Sequence, residues 1–302
     1  MRRVRLTFAG GIALLALTGL AQQTGPYKVL KTAKIGGAGG FDYVYADADG
    51  RRLYIPRTGP APRDTVFNLE TLEPAGEIAD ANARGAAVDP KTGHGFASSK
   101  PAVMWDTKTL ATIETIDRDG GPDGILYDPL NARVWVFSHR TPNATVINAA
   151  DGTVAGTVDL GGAPEQAVSD GEGHLYMDIE DKDNVAVVDA KELKTTAHYD
   201  LGGTGTDGAT FNPNTMEAFS SNGDGTLTVI KEDSPARFVV EQNVQTMRGA
   251  KTLTLGPKTN RVLLIAAEYG APPTPATPPK PGGRRGRGQM VPDSFSIVVV
   301  GK

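Results

Sequence analysis

The chain repeats itself, and the period of the repeat decides what it can fold into. Six segments open alike: VYADADG at 44–50, AAVDPKTG at 86–93, ILYDPLN at 125–131, AVSDGEG at 167–173, ATFNPNT at 209–215 and LTLGPKT at 253–259. Measured on the turn residue, the register runs Asp47, Asp89, Asp128, Asp170, Asn212 and Gly256, with gaps of 42, 39, 42, 42 and 44 residues. Each unit then reads as four strands separated by turns and one polar loop. Runs such as Val134-Trp135-Val136-Phe137, Val185-Ala186-Val187-Val188 and Leu227-Thr228-Val229-Ile230 are short and rich in β-branched or aromatic residues. Bounded by Asp-Pro, Asp-Gly and Asn-Pro, they read as buried antiparallel strands joined by tight turns. No stretch beyond the N-terminal segment keeps a helical period for three turns.

A four-stranded unit repeated at this spacing points to an all-β, closed β-propeller of about six blades. Seven is the alternative, if part of 270–302 holds a degenerate unit. The ends of the chain bear on closure. The sixth unit finishes with its third strand, Ser294 to Val300, while Tyr27 to Ile35 forms a lone strand-like run ahead of the first unit. That run resembles the fourth strands elsewhere, so the N-terminal strand is expected to complete the last blade and remove the open edges. Trp105 and Trp135 are expected inside the blades.

The first 21 residues stand apart. Arg2, Arg3 and Arg5 precede a mostly apolar run from Leu6 to Leu20, and Gly19-Leu20-Ala21 supplies small residues before Gln22. This is the pattern of a secretory signal peptide, with an uncleaved anchoring helix as the bland alternative. The expected layout is therefore a leader at 1–21 and a single propeller domain at 22–302, in the periplasm or secreted. The chain has no cysteine, which excludes disulfides and a lipid-modified cysteine. Loss of the leader's three arginines takes the formal net charge from −4 to −7. Such a body has no general attraction for nucleic acid or anionic membranes.

Gly121-Pro122-Asp123-Gly124-Ile125 with Asp128-Pro129, the strands Leu53-Tyr54-Ile55 and Leu175-Tyr176-Met177, and Val187-Val188-Asp189 together resemble the YVTN-repeat β-propellers, the YncE-like proteins. The resemblance spans about 27 to 301, although the tetrapeptide that gives the family its name is missing. It implies an exported propeller and little chemistry, since a fold does not carry a function.

In a propeller the loops joining strand four to strand one, and strand two to strand three, share a face. Here those loops are the irregular ones: Arg57 to Arg63, Ser138 to Asn143, Asp178 to Asp183, Ser220 to Gly225 and 270–292. Function concentrates on variable loops over a rigid scaffold. Five residues before each register position stands a charge: Asp42, Arg84, Asp123, Glu165, Asp207 and Lys251. In a closed disc these six ring the mouth of the central channel, where they suit a ligand or protein partner. The structural alternative is that they bond local backbone and one another.

No metal or cofactor is expected first. The alternative is Ca²⁺ or Mg²⁺ on oxygen ligands in the channel, serving a lactonase-like hydrolase through Asp42, Asp123, Glu165 and Asp207. Arg84 and Lys251 in the same ring oppose a divalent cation, and Asp181-Lys182-Asp183-Asn184 is only a fragment of a calcium loop. A quinoprotein-type dehydrogenase subunit is a third reading, weakened by the absence of a cofactor-forming cysteine pair. Among the four histidines only His139 falls on the irregular face, and it reads as a lone surface residue. No Gly-x-Ser-x-Gly elbow is present. Segment 270–292 holds six prolines between 272 and 281, then the run Gly-Gly-Arg-Arg-Gly-Arg-Gly. It reads as a disordered insertion whose Arg284, Arg285 and Arg287 can attract nucleic acid or an acidic partner, with a tolerated surface loop as the bland reading.

Overall fold

The computed structural model describes residues 25–302 apart from 38, 60, 80, 119, 170, 183, 201–207, 235–236 and 272–287. The expected leader, Asp170, Asp183, Asp207 and Arg284, Arg285 and Arg287 lie outside the described residues.

Six four-stranded antiparallel sheets stand in a ring. Blade 1 runs β2 (Tyr45–Asp47), β3 (Arg52–Arg57), β4 (Arg63–Asn68) and β5 (Pro74–Ala79) from the channel outward. Blade 2 follows with β6 (Ala86–Asp89), β7 (His94–Ala97), β8 (Ala102–Asp106) and β9 (Thr112–Ile116). Blade 3 has β10 (Pro122–Asp128), β11 (Arg133–Ser138), β12 (Asn143–Asn148) and β13 (Val154–Asp159). Blade 4 has β14 (Pro164–Ser169), β15 (His174–Ile179), β16 (Asn184–Asp189) and β17 (Lys194–Asp200), with one 3₁₀ turn at Glu180–Lys182. Blade 5 has β18 (Gly208–Asn212), β19 (Glu217–Ser221), β20 (Thr226–Ser234) and β21 (Arg237–Gln245). Blade 6 takes β22 (Thr252–Gly256), β23 (Arg261–Ala266) and β24 (Ser296–Gly301), and its fourth strand is β1 (Lys28–Lys34), from the other end of the chain.

The register residues explain why the turns recur. Asp47 accepts hydrogen bonds from the amides of Asp49 and Gly50, Asp89 from Lys91, Asp128 from Leu130, and Asn212 from Asn214. These are Asx turns, in which a short side chain closes the loop that the backbone alone would leave open. The residue that ends each turn has positive φ in all six blades: Arg51, Gly93, Ala132, Gly173, Met216 and Asn260.

Closure is fastened at blade 5. Tyr27, just ahead of β1, exchanges two hydrogen bonds with Gln242 of β21 and donates its hydroxyl to Glu217 of β19. The last residue, Lys302, reaches the same carboxylate at 2.8 Å. Tyr27, ahead of the closing strand, and Lys302, after β24, thus converge on one buried acid.

Alternating strand residues face the two neighbouring blades, so the cores lie between blades. Trp105 fills the seam between blades 1 and 2 and Trp135 that between blades 3 and 4, both fully buried. Apolar clusters also occupy seams 2–3, 5–6 and 6–1. Among the described residues no such cluster joins blades 4 and 5. Tyr176, opposite Val187 as Trp135 is opposite Val146, is 39% exposed, and the facing residues of β19 are Ala218 and Ser220.

Candidate functional site

The charge ring gathers where the innermost strands begin. Asp42 and Arg84, from blades 1 and 2, form an ion pair at 2.9 Å. For these two, the structural reading is the one observed. Lys251 precedes β22, and its carbonyl accepts a hydrogen bond from Ser221 at 2.5 Å. Asp123 and Glu165 behave differently. A donor atom from each, with one from His139, falls within 4.8 Å of the other two. The expectation of His139 as a lone surface residue is corrected: its Nε2 lies 3.4 Å from Glu165 and 3.0 Å from Glu180.

Both acids lie at a local break in strand pairing. The register of β10 on β11 shifts between Pro122 and Ile125, and that of β14 on β15 shifts between Pro164 and Ala167. Each shift is a β-bulge that spans the acid, the kind of local kink that changes where a side chain points. Gly124 then lets the two inner strands close up, because a Cβ there would stand 2.8 Å from the carbonyl oxygen of Glu165. His139 arrives from the turn between β11 and β12, and Glu180 from the 3₁₀ turn after β15, so both come from irregular-face loops.

Tyr43, next to Asp42 in blade 1, donates its hydroxyl across the mouth to Glu165 Oε2. Burial raises its phenol well above the usual range, and the Glu165 and Asp123 carboxylates push it further. The hydroxyl therefore stays protonated and serves as a fixed donor.

The electrostatics of the group follow from desolvation and crowding. Burial first, then the Asp42 charge, raise Asp123 to about 6 against the opposing pull of His139, Arg84 and Lys251. Glu165 is lifted to about 7, chiefly by burial; the Tyr43 hydrogen bond works against this, and the Asp123 and Glu180 charges add to it. For His139, burial disfavours the charged form, but the Glu180 hydrogen bond and the surrounding carboxylates outweigh it and raise its pKa. Carboxyls so shifted in a cleft mark a place where a bound charge or a proton is accommodated. The group can hold a cation, an ammonium or a shared proton.

Of the six charges expected at the mouth, Asp123 and Glu165 are the second residues of the inner strands β10 and β14, Asp42, Arg84 and Lys251 stand just ahead of β2, β6 and β22, and Asp207 lies outside the described residues. Sequence reasoning missed Tyr43, His139 and Glu180. The signal for His139 and Glu180 was their shared loop class, strand two to strand three, on adjacent blades. Nothing in the sequence announces a bulge. The Asp181 fragment of a calcium loop serves as a local cap, accepting from the Ala163 amide at 2.7 Å.

The similarities of this chain are to propellers. No family model matches it and no curated protein matches it. Among solved structures, the WD40 repeats of RRP9 superpose with a TM-score of 0.69 at 10% identity, covering 93% of this chain and 99% of that one. The β-propeller domain of Cps50 (Swd1) from Myceliophteria thermophila gives 0.55 at 11% identity over 81% and 83% of the two chains. Hydrazine synthase from Kuenenia stuttgartiensis gives 0.54 at 13% identity, covering 77% and 78%. At such identities the shared property is the fold.

Proposed function

We propose that this chain is an exported, non-catalytic propeller of the YVTN-repeat type that captures a small polar or cationic ligand at its channel mouth. The observation that carries the reading is the half-buried Asp123–His139–Glu165 group. Three donors from three chain segments converge there, and each of the two acids lies within a β-bulge. Propeller scaffolds present such mouths rigidly, so a ligand meets preorganised groups and little ordering entropy is lost. Export rests on the leader-like residues 1–21, and the YVTN kinship on the repeat strings.

The test is calorimetric titration of the mature chain with a panel of divalent ions, organic ammonium compounds, zwitterions and lactones. The reading expects at least one binder whose affinity falls tenfold or more in the double variant Asp123→Asn with Glu165→Gln, at an unchanged melting temperature. A binder indifferent to both substitutions, or no binder at all, would remove the mouth as the site. Turnover of a lactone would replace capture with catalysis.

A further inference from the structure

We infer that the ligand class of this mouth includes a first-row divalent transition-metal ion, of the Zn²⁺, Co²⁺ or Mn²⁺ kind, held by Asp123, His139 and Glu165. The inference rests on the mouth being the binding site, and it names what binds there. The donor set differs from the all-oxygen set expected from the charge ring, because His139 brings an imidazole nitrogen. One nitrogen with two carboxylates moves preference from Ca²⁺ and Mg²⁺ towards borderline ions.

Three further observations fit this assignment. The objection that ring bases repel a divalent ion weakens for Arg84, whose guanidinium is ion-paired to Asp42 at 2.9 Å. Asp123 accepts no hydrogen bond from the described residues, so its oxygens are not committed to the fold. Glu165 divides its two oxygens: Oε2 accepts from the Tyr43 hydroxyl, while Oε1 lies on the side of His139. That division matches the way ligating carboxylates are oriented by a second hydrogen-bonding partner. Glu180, 3.0 Å from the same imidazole nitrogen, adds a further carboxylate beside the group. Three protein ligands at a mouth open to solvent leave positions for water or for a donor from a guest molecule. Asp123 and Glu165 sit on the inner strands β10 and β14 and His139 on the turn after β11, all in adjacent blades 3 and 4, a frame fixed by the Trp135 cluster between them.

The test uses the mature chain dialysed against a chelator, then titrated with Co²⁺ followed by visible absorption and with Zn²⁺ followed by calorimetry. One ion per chain is expected, with Ca²⁺ and Mg²⁺ at least tenfold weaker. His139→Ala and Asp123→Asn should each weaken Co²⁺ by about tenfold or more, given that even outer-shell partners cost 10–100-fold. His94→Ala, at the turn that opens β7 on the opposite face, should leave binding unchanged. Circular dichroism melts separate lost ligation from lost folding, since His139 is a half-exposed turn residue. Absence of Co²⁺ and Zn²⁺ binding, binding unaltered by His139→Ala, or Ca²⁺ bound as tightly as Zn²⁺ would each overturn the metal assignment. Should an organic ligand still bind in a manner sensitive to Asp123 and Glu165, the mouth stands and only the metal falls. Should neither metal nor organic ligand depend on those acids, both readings fall together.

Discussion

Asp64 offers the sharpest test of how this ring is held together. It lies on β4 opposite Pro56 and Ile78, fully buried, and neither carboxylate oxygen has a hydrogen-bond partner among the described residues. The same register position holds Ala144 in blade 3, Leu227 in blade 5 and Ile297 in blade 6, each packed into an apolar seam. Asp64 thus puts an acid where the architecture asks for a hydrocarbon. Burial raises its carboxyl well above the usual range, so the folded chain retains a proton that the unfolded chain releases above about pH 3.9. The sign follows from linkage. Below that pH the group costs only its neutral desolvation, roughly 1–3 kcal/mol for an unsatisfied buried polar group. As pH rises from there towards the folded pKa, stability falls by about 1.4 kcal/mol per pH unit. Asp64→Ala, which copies Ala144, should therefore stabilise the propeller by at least about 1–3 kcal/mol at pH 7, less a modest term for lost volume. At about 2 °C per kcal/mol for a chain of this size, the melting temperature should rise by roughly 2–6 °C. Asp64→Asn should abolish the pH-dependent part while keeping the unsatisfied dipoles. Urea melts of the three proteins at pH 4 and pH 7 read out both effects. A loss of stability in Asp64→Ala at pH 7, or a gain no larger at pH 7 than at pH 4, would refute the reasoning.

Glu217 ties Tyr27 and Lys302 to blade 5; burial alone would raise its pKa, but the Lys302 and Tyr27 hydrogen bonds outweigh that and hold it below the usual carboxylate range. Its contribution is therefore complete above the unfolded value near pH 4.3 and is lost on acidification. Glu217→Gln should cost about 1.5–3 kcal/mol at pH 7 and flatten the acid limb of the stability curve, as checked by denaturant midpoints from pH 2 to 7. Gly124→Ala puts a Cβ 2.8 Å from the Glu165 carbonyl oxygen, so it should cost about 1–3 kcal/mol and reduce binding at the mouth, measured by melting and titration. The seam between blades 4 and 5, without an apolar cluster among the described residues, should open first; amides of β18 and β19 should exchange faster than those of β11 and β12 in hydrogen-exchange mass spectrometry.

Much of the candidate site was legible because it is a property of register. Residues five positions before each turn stand at or just ahead of the start of an inner strand, which is why Asp42, Arg84, Asp123, Glu165 and Lys251 occupy equivalent places in their blades. Their pairing was not legible. Whether Arg84 neutralises Asp42 or faces the channel depends on side-chain reach across two blades. His139 acquires its partners only because β11 and β15 sit in adjacent blades and end on one face.

The sequence by itself determined the period, the strand and turn chemistry and the closing strand, since these depend on short-range alternation, Asx turns and count. Those features point to about six blades with the N-terminal strand completing the last, and the structure settles the count at six rather than seven. Only the tertiary structure decided which charges are spent on one another and which converge, and which seam goes without an apolar cluster. The reason is physical: bulges at Asp123 and Glu165, the burial of Asp64 and the exposure of Tyr176 arise from how neighbouring blades meet, and a local pattern carries no record of the surface it will face.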